Sequence, residues 1–160
     1  MPEVYVALGS SVAPERHIGC AVRELSREFP GTRFSAWYRN RPAVGEGADF
    51  INLAAAFSTA LPVGEVRSRL RAIEQRCGRS RTGPPTRPPA IDLDLLLYGD
   101  LVCTEPGLKL PRPELLTCAY LLGPLAELAP DRRHPTAQLT FAELWQRFDR
   151  SLHPLERLPA

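Results

Sequence analysis

The sequence predicts a two-layer α+β fold in which two helices pack on one face of a sheet. Strand and helix signals alternate up to Tyr98 in the order strand, helix, strand, strand, helix, strand. Both helices carry an apolar stripe at helical spacing, and the strands carry apolar residues with period two. At 160 residues the chain has the size of one domain with a full core, so we expect a single domain over residues 1–160.

The first strand and helix lie at the N-terminus. Alternating apolar residues from Val4 to Leu8 predict a strand that ends at the turn Gly9-Ser10-Ser11. A helix is predicted from about Pro14 to Phe29, because apolar residues recur there every three or four positions and Pro30-Gly31 ends it. The turn either lines a ligand pocket or caps the helix, and the residues alone favour the cap.

Two further strands precede the second helix. The aromatic-rich residues 32–39 predict a strand, and residues 40–48, with one proline and two glycines, predict a loop. A third strand is predicted from Phe50 to about Thr59, with Asn52 on its narrower face. The second helix is predicted to follow Pro62 and to end at Gly78.

Residues 79–89 form a long segment with four prolines and three arginines. Such a segment is neither helix nor central strand. Because long irregular loops inside a compact domain are disproportionately functional, we interpret it as a lid; the alternative is a solvated linker.

The strand from Ile91 to Tyr98 is apolar on both faces except for Asp92 and Asp94, which share one face about 6–7 Å apart. Burying a carboxylate costs several kcal/mol unless a cation or hydrogen bonds compensate. Mg²⁺ binds one or two carboxylates together with waters and phosphate oxygens. The pair therefore predicts a magnesium-nucleotide site, and the alternative is pairing with nearby arginines.

The two alternation patterns converge on one surface. If the apolar faces of both strands meet the helices, then Phe50, Asn52, Asp92 and Asp94 all emerge on the opposite face. Further along the chain, we expect a short strand at 108–110 and a helix over about 123–128. A capping box at 140–143 opens a terminal helix.

Composition limits the possible partners. A net charge of +2 is too mild to indicate nucleic acid, and the acidic pair would repel the phosphate backbone of RNA. No apolar run is long enough for a membrane span. All basic residues except Lys109 are arginine, which suits phosphate binding but also follows from a biased genomic base composition. The four cysteines lack zinc-site spacing, so we expect reduced thiols in the cytosol.

Five blocks in this order resemble the 6-hydroxymethyl-7,8-dihydropterin pyrophosphokinase family of folate biosynthesis. The blocks are Leu8 to Ser11, Tyr38 to Asn52, Glu74 to Arg81, Ile91 to Asp94 and Leu110 to Pro113. The resemblance implies a ferredoxin-like two-layer sandwich with a βαββαβ core and additional C-terminal strand and helix elements. It also implies transfer of the terminal diphosphate of ATP to a pterin hydroxymethyl group, with release of AMP. We expect a cytoplasmic monomer with small-molecule substrates and neither a nucleic-acid nor a membrane partner.

The resemblance also implies residue roles. Asp92 and Asp94 would hold two Mg²⁺ ions that bridge the ATP phosphates and the attacking hydroxyl, while Arg79 and Arg81 approach those phosphates. The remaining members of the ATP site would be Arg71, Glu74, Lys109 and Arg112. The pterin site would comprise Asn40, Pro42, Phe50, Asn52 and Tyr120, with the ring between the two aromatic side chains.

The sequence departs from the family pattern at four places. Ser11 ends the usual Leu-Gly-Ser-Asn, and residues 86–89 replace Trp-Gly-Pro-Arg. Arg112 stands where Pro-His-Pro has its histidine, and Cys118 replaces an arginine. Losing one preorganised phosphate contact costs on the order of 10²–10³ in rate. Four outcomes are open: Arg87 or Arg112 supplies the missing charge, the activity is low, the substrate is a different hydroxymethyl pterin, or the protein binds pterin without transfer chemistry.

Overall fold

The computed structural model describes residues 1–41, 47–78, 90–151 and 154–159. These residues form an antiparallel sheet with helices on both faces. The strands are β1 (Glu3–Ser10), β2 (Arg33–Phe34), β3 (Tyr38–Asn40), β4 (Phe50–Ser58), β5 (Asp92–Tyr98), β6 (Cys103–Glu105), β7 (Leu108–Leu110) and β8 (Glu156–Arg157). The α-helices are α1 (Pro14–Glu28), α2 (Val63–Cys77), α3 (Ala119–Leu128) and α4 (Phe141–Arg147), and a 3-10 helix spans Pro113–Leu116. No helix in these ranges has the length and apolar character needed to cross a bilayer.

The main sheet has the order β5-β1-β4-β3-β8, and β2 also pairs with β4. Every pairing in it is antiparallel. The central strand β1 places Gly9 opposite Asn52 of β4 and opposite Asp92 of β5. This register brings three positions that are distant in the chain side by side across three neighbouring strands. Strands β6 and β7 form a separate hairpin.

The helices α1 and α2 pack on one face of the sheet, as the sequence predicts. Ile18 and Leu25 of α1 and Leu70 of α2 are fully or almost fully buried in a core with Leu8 and Leu53 of the sheet. The apolar stripes of both helices thus face the strands. The acidic residues of β5 are left for the other face.

The other face is also covered over part of its length, so the two-layer prediction is incomplete. Tyr5 and Leu96 of the sheet form a second core with Leu122 of α3 and with Phe141 of α4. Sequence alone indicated extra C-terminal elements but not which face they cover. Helix α3 begins at Ala119, earlier than the predicted start at Gly123, so Tyr120 lies in its first turn.

Two local predictions have different outcomes. The strand predicted over 32–39 is split into β2 and β3. Between them, the Ser35 amide donates to the Ala54 carbonyl in the β2 register, but the Ala54 amide donates to the Ser35 side-chain oxygen. The capping box is confirmed at α4. Thr140 Oγ1 accepts from the Glu143 amide at 3.1 Å, and Glu143 Oε1 accepts from the Thr140 amide at 3.3 Å.

The expectation of four reduced thiols is wrong for two cysteines. Cys20 of α1 and Cys77 of α2 form a disulfide, with their Cα atoms 5.6 Å apart and 57 positions apart in the chain. Packing of α1 beside α2 brings the two residues together, which their spacing in the sequence does not reveal. Cys103 and Cys118 are free thiols.

Candidate active site

The acidic pair lies at the start of β5, on the face away from α1 and α2. Leu93 and Leu95 point into the core with those helices, whereas Asp92 and Asp94 are only partly buried. The period-two alternation of the strand produces this division. The prediction that the two carboxylates share a face is therefore confirmed.

The pair carries an excess of negative charge. Burial, followed by the charge of Asp92, raises the pKa of Asp94 to about 6, although the neighbouring Arg112 guanidinium acts to lower it. Arg112 Nη2 lies 3.4 Å from Asp94 Oδ1, and Arg112 Nε lies 3.9 Å from Glu114 Oε2. Among the described residues, Arg112, downstream of the pair, contacts Asp94. The upstream arginines at 79, 81 and 87 lie outside the described residues, so the alternative of pairing with them stays open. Because the pKa of Asp94 stays raised beside Arg112, this arginine does not neutralise the two carboxylates.

A first cavity of about 550 Å³ lies on one side of the pair, between α2, β5 and the β6–β7 hairpin. All four ATP-site residues predicted within the described ranges line it: Arg71, Glu74, Lys109 and Arg112. Sequence reasoning missed Arg67, which also lines this cavity and donates from Nη2 to the Gly107 carbonyl at 2.7 Å. That contact ties α2 to the hairpin, and nothing in the local pattern around Arg67 signals it.

A second cavity of about 1270 Å³ lies on the other side of the pair. It is lined by the four described members of the predicted pterin site, Asn40, Phe50, Asn52 and Tyr120. Asn52 is buried, and its Nδ2 donates to Asn40 Oδ1, so the two amides are held in one orientation. Partial burial, followed by a hydrogen bond to Cys118, raises the pKa of Tyr120 to about 12. Asp92 and Asp94 line both cavities.

Gly9 separates the amide from the acidic strand. A Cβ atom built on Gly9 would lie 2.8 Å from Asn52 Oδ1, so any side chain here would displace the amide. The sequence favoured a helix cap for Gly9-Ser10-Ser11, and that interpretation is wrong. The N-cap of α1 is Ala13 and has no side-chain cap, because the chain runs past the turn before the helix begins. Ser10 instead donates to the Ala90 carbonyl at 2.6 Å, which holds the end of β1 against the start of β5.

Glu74 lies at the first cavity, as predicted, and it also contacts the acidic strand. It lines the first cavity, but its carboxylate is buried, and Oε2 accepts from the Leu93 amide at 2.8 Å. Leu93 lies between the two acidic residues of the strand. The Glu74 side chain therefore holds β5 at the position from which the acidic pair projects.

The predicted residues Arg79, Arg81 and Pro42, and the lid proposed for 79–89, lie outside the described residues. Within the described ranges, no three histidine, cysteine or acidic side chains gather into a metal cluster. The donor set on β5 is two carboxylates beside two open cavities. This fits Mg²⁺, which binds one or two carboxylates and takes its other ligands from water and phosphate.

The site of this mixed α/β fold is an acidic pair between a basic cavity and an aromatic, amide-lined cavity, with room for a small ligand on each side. Comparison with known proteins identifies the family. The chain belongs to the 7,8-dihydro-6-hydroxymethylpterin-pyrophosphokinase (HPPK) family, whose model matches residues 5–130.

Several curated relatives carry the name 2-amino-4-hydroxy-6-hydroxymethyldihydropteridine pyrophosphokinase. The Pseudomonas aeruginosa protein is 38% identical over 139 residues, which cover 82% of this chain and 83% of the relative. The Synechocystis protein is 34% identical over 150 residues, which cover 90% of this chain and 75% of the relative.

Solved structures show the same fold. Wild-type HPPK-DHPS of Plasmodium falciparum superposes with a TM-score of 0.71 at 12% identity, covering 91% of this chain and 44% of that one. An HPPK-DHPS complex with substrates gives a TM-score of 0.71 at 11% identity and covers 94% of this chain. The chain spans less than half the length of these fused proteins.

Proposed function

We propose that this chain transfers the terminal diphosphate of ATP to the hydroxymethyl group of 6-hydroxymethyl-7,8-dihydropterin in folate biosynthesis. The names of the curated relatives support this assignment. The observation that carries it is the position of Asp92 and Asp94 at the junction of two cavities of different chemistry.

In this proposal ATP occupies the first cavity. Arg71, Lys109 and Arg112 line it and supply positive charge for a triphosphate. We assign Arg79 and Arg81 to the phosphate site from the family resemblance alone, because both lie outside the described residues. Glu74 supports the site indirectly, because its carboxylate accepts a hydrogen bond from the backbone of β5 and holds that strand in place.

The pterin occupies the second cavity. Phe50 and Tyr120 offer flat aromatic faces for the ring, and the paired amides of Asn52 and Asn40 offer a donor and an acceptor for its polar edge. Pro42 joins this site by family resemblance and lies outside the described residues. The two ligands then approach each other at the acidic pair.

Asp92 and Asp94 would hold Mg²⁺, and the family resemblance implies two ions. When bound, Mg²⁺ would neutralise phosphate charge and orient the attacking hydroxyl. In the transfer, the pterin hydroxyl oxygen forms a bond to the β-phosphorus. The bond from that phosphorus to the α–β bridging oxygen breaks, AMP leaves, and the hydroxyl proton is released. The protein contributes mainly position and charge, as is general for phosphoryl transfer.

The proposal extends to the architecture and the cellular setting. The order β5-β1-β4-β3, with α1 and α2 on one face, supports a ferredoxin-like core. β8 joins the same sheet as β1, which supports one domain over residues 1–160. We further propose a monomer in the cytoplasm, where ATP is available.

Incubation with ATP, Mg²⁺ and the dihydropterin tests the proposal directly. Chromatography should show equal amounts of AMP and pterin diphosphate, and Asp92→Ala should form neither at a comparable rate. Absence of AMP with several hydroxymethyl pterins would contradict the catalytic assignment. Calorimetry then shows whether the pterin still binds; binding that a non-hydrolysable ATP analogue with Mg²⁺ does not strengthen would indicate a binding-only relative.

A further inference from the structure

The C-terminal segment, residues 154–159, lies beyond residues 5–130, which the family model matches. Three of its residues nevertheless line the second cavity: Pro154, Leu155 and Glu156. We infer that this segment is a wall of the pterin cavity and that Leu155 is a specificity-determining residue for the pterin. The inference rests on the proposed function, since it assigns the pterin to that cavity.

The segment is held to the sheet by backbone pairing. β8 pairs antiparallel with β3, with Arg157 opposite Tyr38 and Glu156 opposite Arg39. The Leu158 amide donates to the Trp37 carbonyl at 2.8 Å and extends this pairing by one bond. β3 ends at Asn40, so the strand that carries one pterin-site amide also carries the segment.

A partly exposed carboxylate on α3, Glu127, fastens the same region from the other face. Glu127 Oε1 accepts from Arg157 Nε at 2.8 Å and from the Tyr38 hydroxyl, and Oε2 accepts from the Ala36 amide at 2.7 Å. Burial opposes ionisation of Glu127, but these hydrogen bonds outweigh it and lower the pKa of the carboxyl. One side chain thus connects α3, β3 and the segment.

The Leu155 side chain packs in a notch on α3, the space left at Gly123 by its missing side chain. A Cβ atom on Gly123 would lie 2.7 Å from Leu155 Cδ2 and 3.0 Å from the Trp145 ring, so the missing side chain is what makes room for the leucine. Glu156 adds an ion pair with Arg39 at 3.2 Å. Because Leu155 is seated in the notch and also lines the cavity, it presents a fixed apolar surface to a ligand there.

The test compares two leucines of the same segment. Leu155→Ala removes apolar surface from the cavity, whereas Leu158→Ala removes the same atoms where the side chain packs against the first core. Leu155→Ala should raise KM for the pterin about tenfold, the scale of losing apolar contact in a binding pocket, with kcat and KM for ATP nearly unchanged. Leu158→Ala should leave both KM values within about twofold.

A conservative variant separates a contact from a folding defect. Leu155→Met keeps the side-chain volume and should retain most of the affinity for the pterin. An equal rise in KM for ATP and pterin, or the same result for Leu155→Ala and Leu158→Ala, would overturn the inference.

A failure of the proposed function can be distinguished from a failure of this inference. If the wild-type protein forms no pterin diphosphate, calorimetry with the dihydropterin still compares Leu155→Ala with wild type. A weaker affinity of Leu155→Ala for the dihydropterin supports the inference that the segment is a wall of the cavity, and an unchanged affinity rejects it.

Discussion

Replacing Asp94 by asparagine should stabilise the metal-free protein while it impairs diphosphate transfer. Burial and the charge of Asp92 raise the pKa of Asp94 from its ordinary 3.8 to about 6. The folded protein therefore binds this proton more tightly than the unfolded chain does. Ionisation of Asp94 costs stability as the pH rises from about 4 through about 6, and the cost is fully present above that range.

The magnitude follows from the shift. A change from 3.8 to about 6 corresponds to about 3 kcal/mol at about 1.36 kcal/mol per pKa unit. The Asp94 side chain is 32% exposed, and the substitution also removes its ion pair with Arg112, so solvent and the lost pair reduce the gain. We expect Asp94→Asn to raise the free energy of unfolding by about 1–2 kcal/mol at about pH 8 and by almost nothing near pH 4.

Urea denaturation in the presence of a chelator measures this difference between about pH 4 and about pH 8. Asp131→Asn is the matched control, since Asp131 is exposed on a turn, and it should change stability little at any pH. The pKa of His134 is lowered by burial, which makes acid destabilising, but this contribution is common to all three proteins and cancels. A loss of stability in Asp94→Asn at about pH 8, or a gain that does not depend on pH, would refute the reasoning. Transfer activity of Asp94→Asn should fall by about 10² or more.

Two further substitutions test the support of the site. Gly9→Ala should raise KM for the pterin by about tenfold and cost about 1–3 kcal/mol, because its Cβ would lie 2.8 Å from Asn52 Oδ1. Gly64→Ala, in the first turn of α2 with no atom within 4 Å of its Cβ, is the control and should be neutral or slightly stabilising in the same thermal and kinetic assays. Glu74→Ala should lower stability by about 1–3 kcal/mol, because the buried Leu93 amide loses its acceptor, and should reduce kcat as β5 shifts. Unchanged stability and kcat in this variant would show that the carboxylate does not hold the strand.

Local periodicity determined much of this protein from the sequence alone. Alternation along two strands placed Asn52, Asp92 and Asp94 on one face, because successive side chains of a strand must point in opposite directions. Helical spacing of apolar residues located α1 and α2 to within a residue or two, and Thr140 marked the start of α4. These features depend only on residues that are close in the chain, so the sequence is enough to predict them.

Only the tertiary structure decided which distant residues meet. The disulfide of Cys20 with Cys77, the hydrogen bond from the Leu93 amide to Glu74 and the seat of Leu155 against α3 each join separate elements. No spacing rule predicts such contacts, because they depend on how whole helices and strands pack. The same packing placed α3 over the second face of the sheet and set two cavities around one pair of carboxylates.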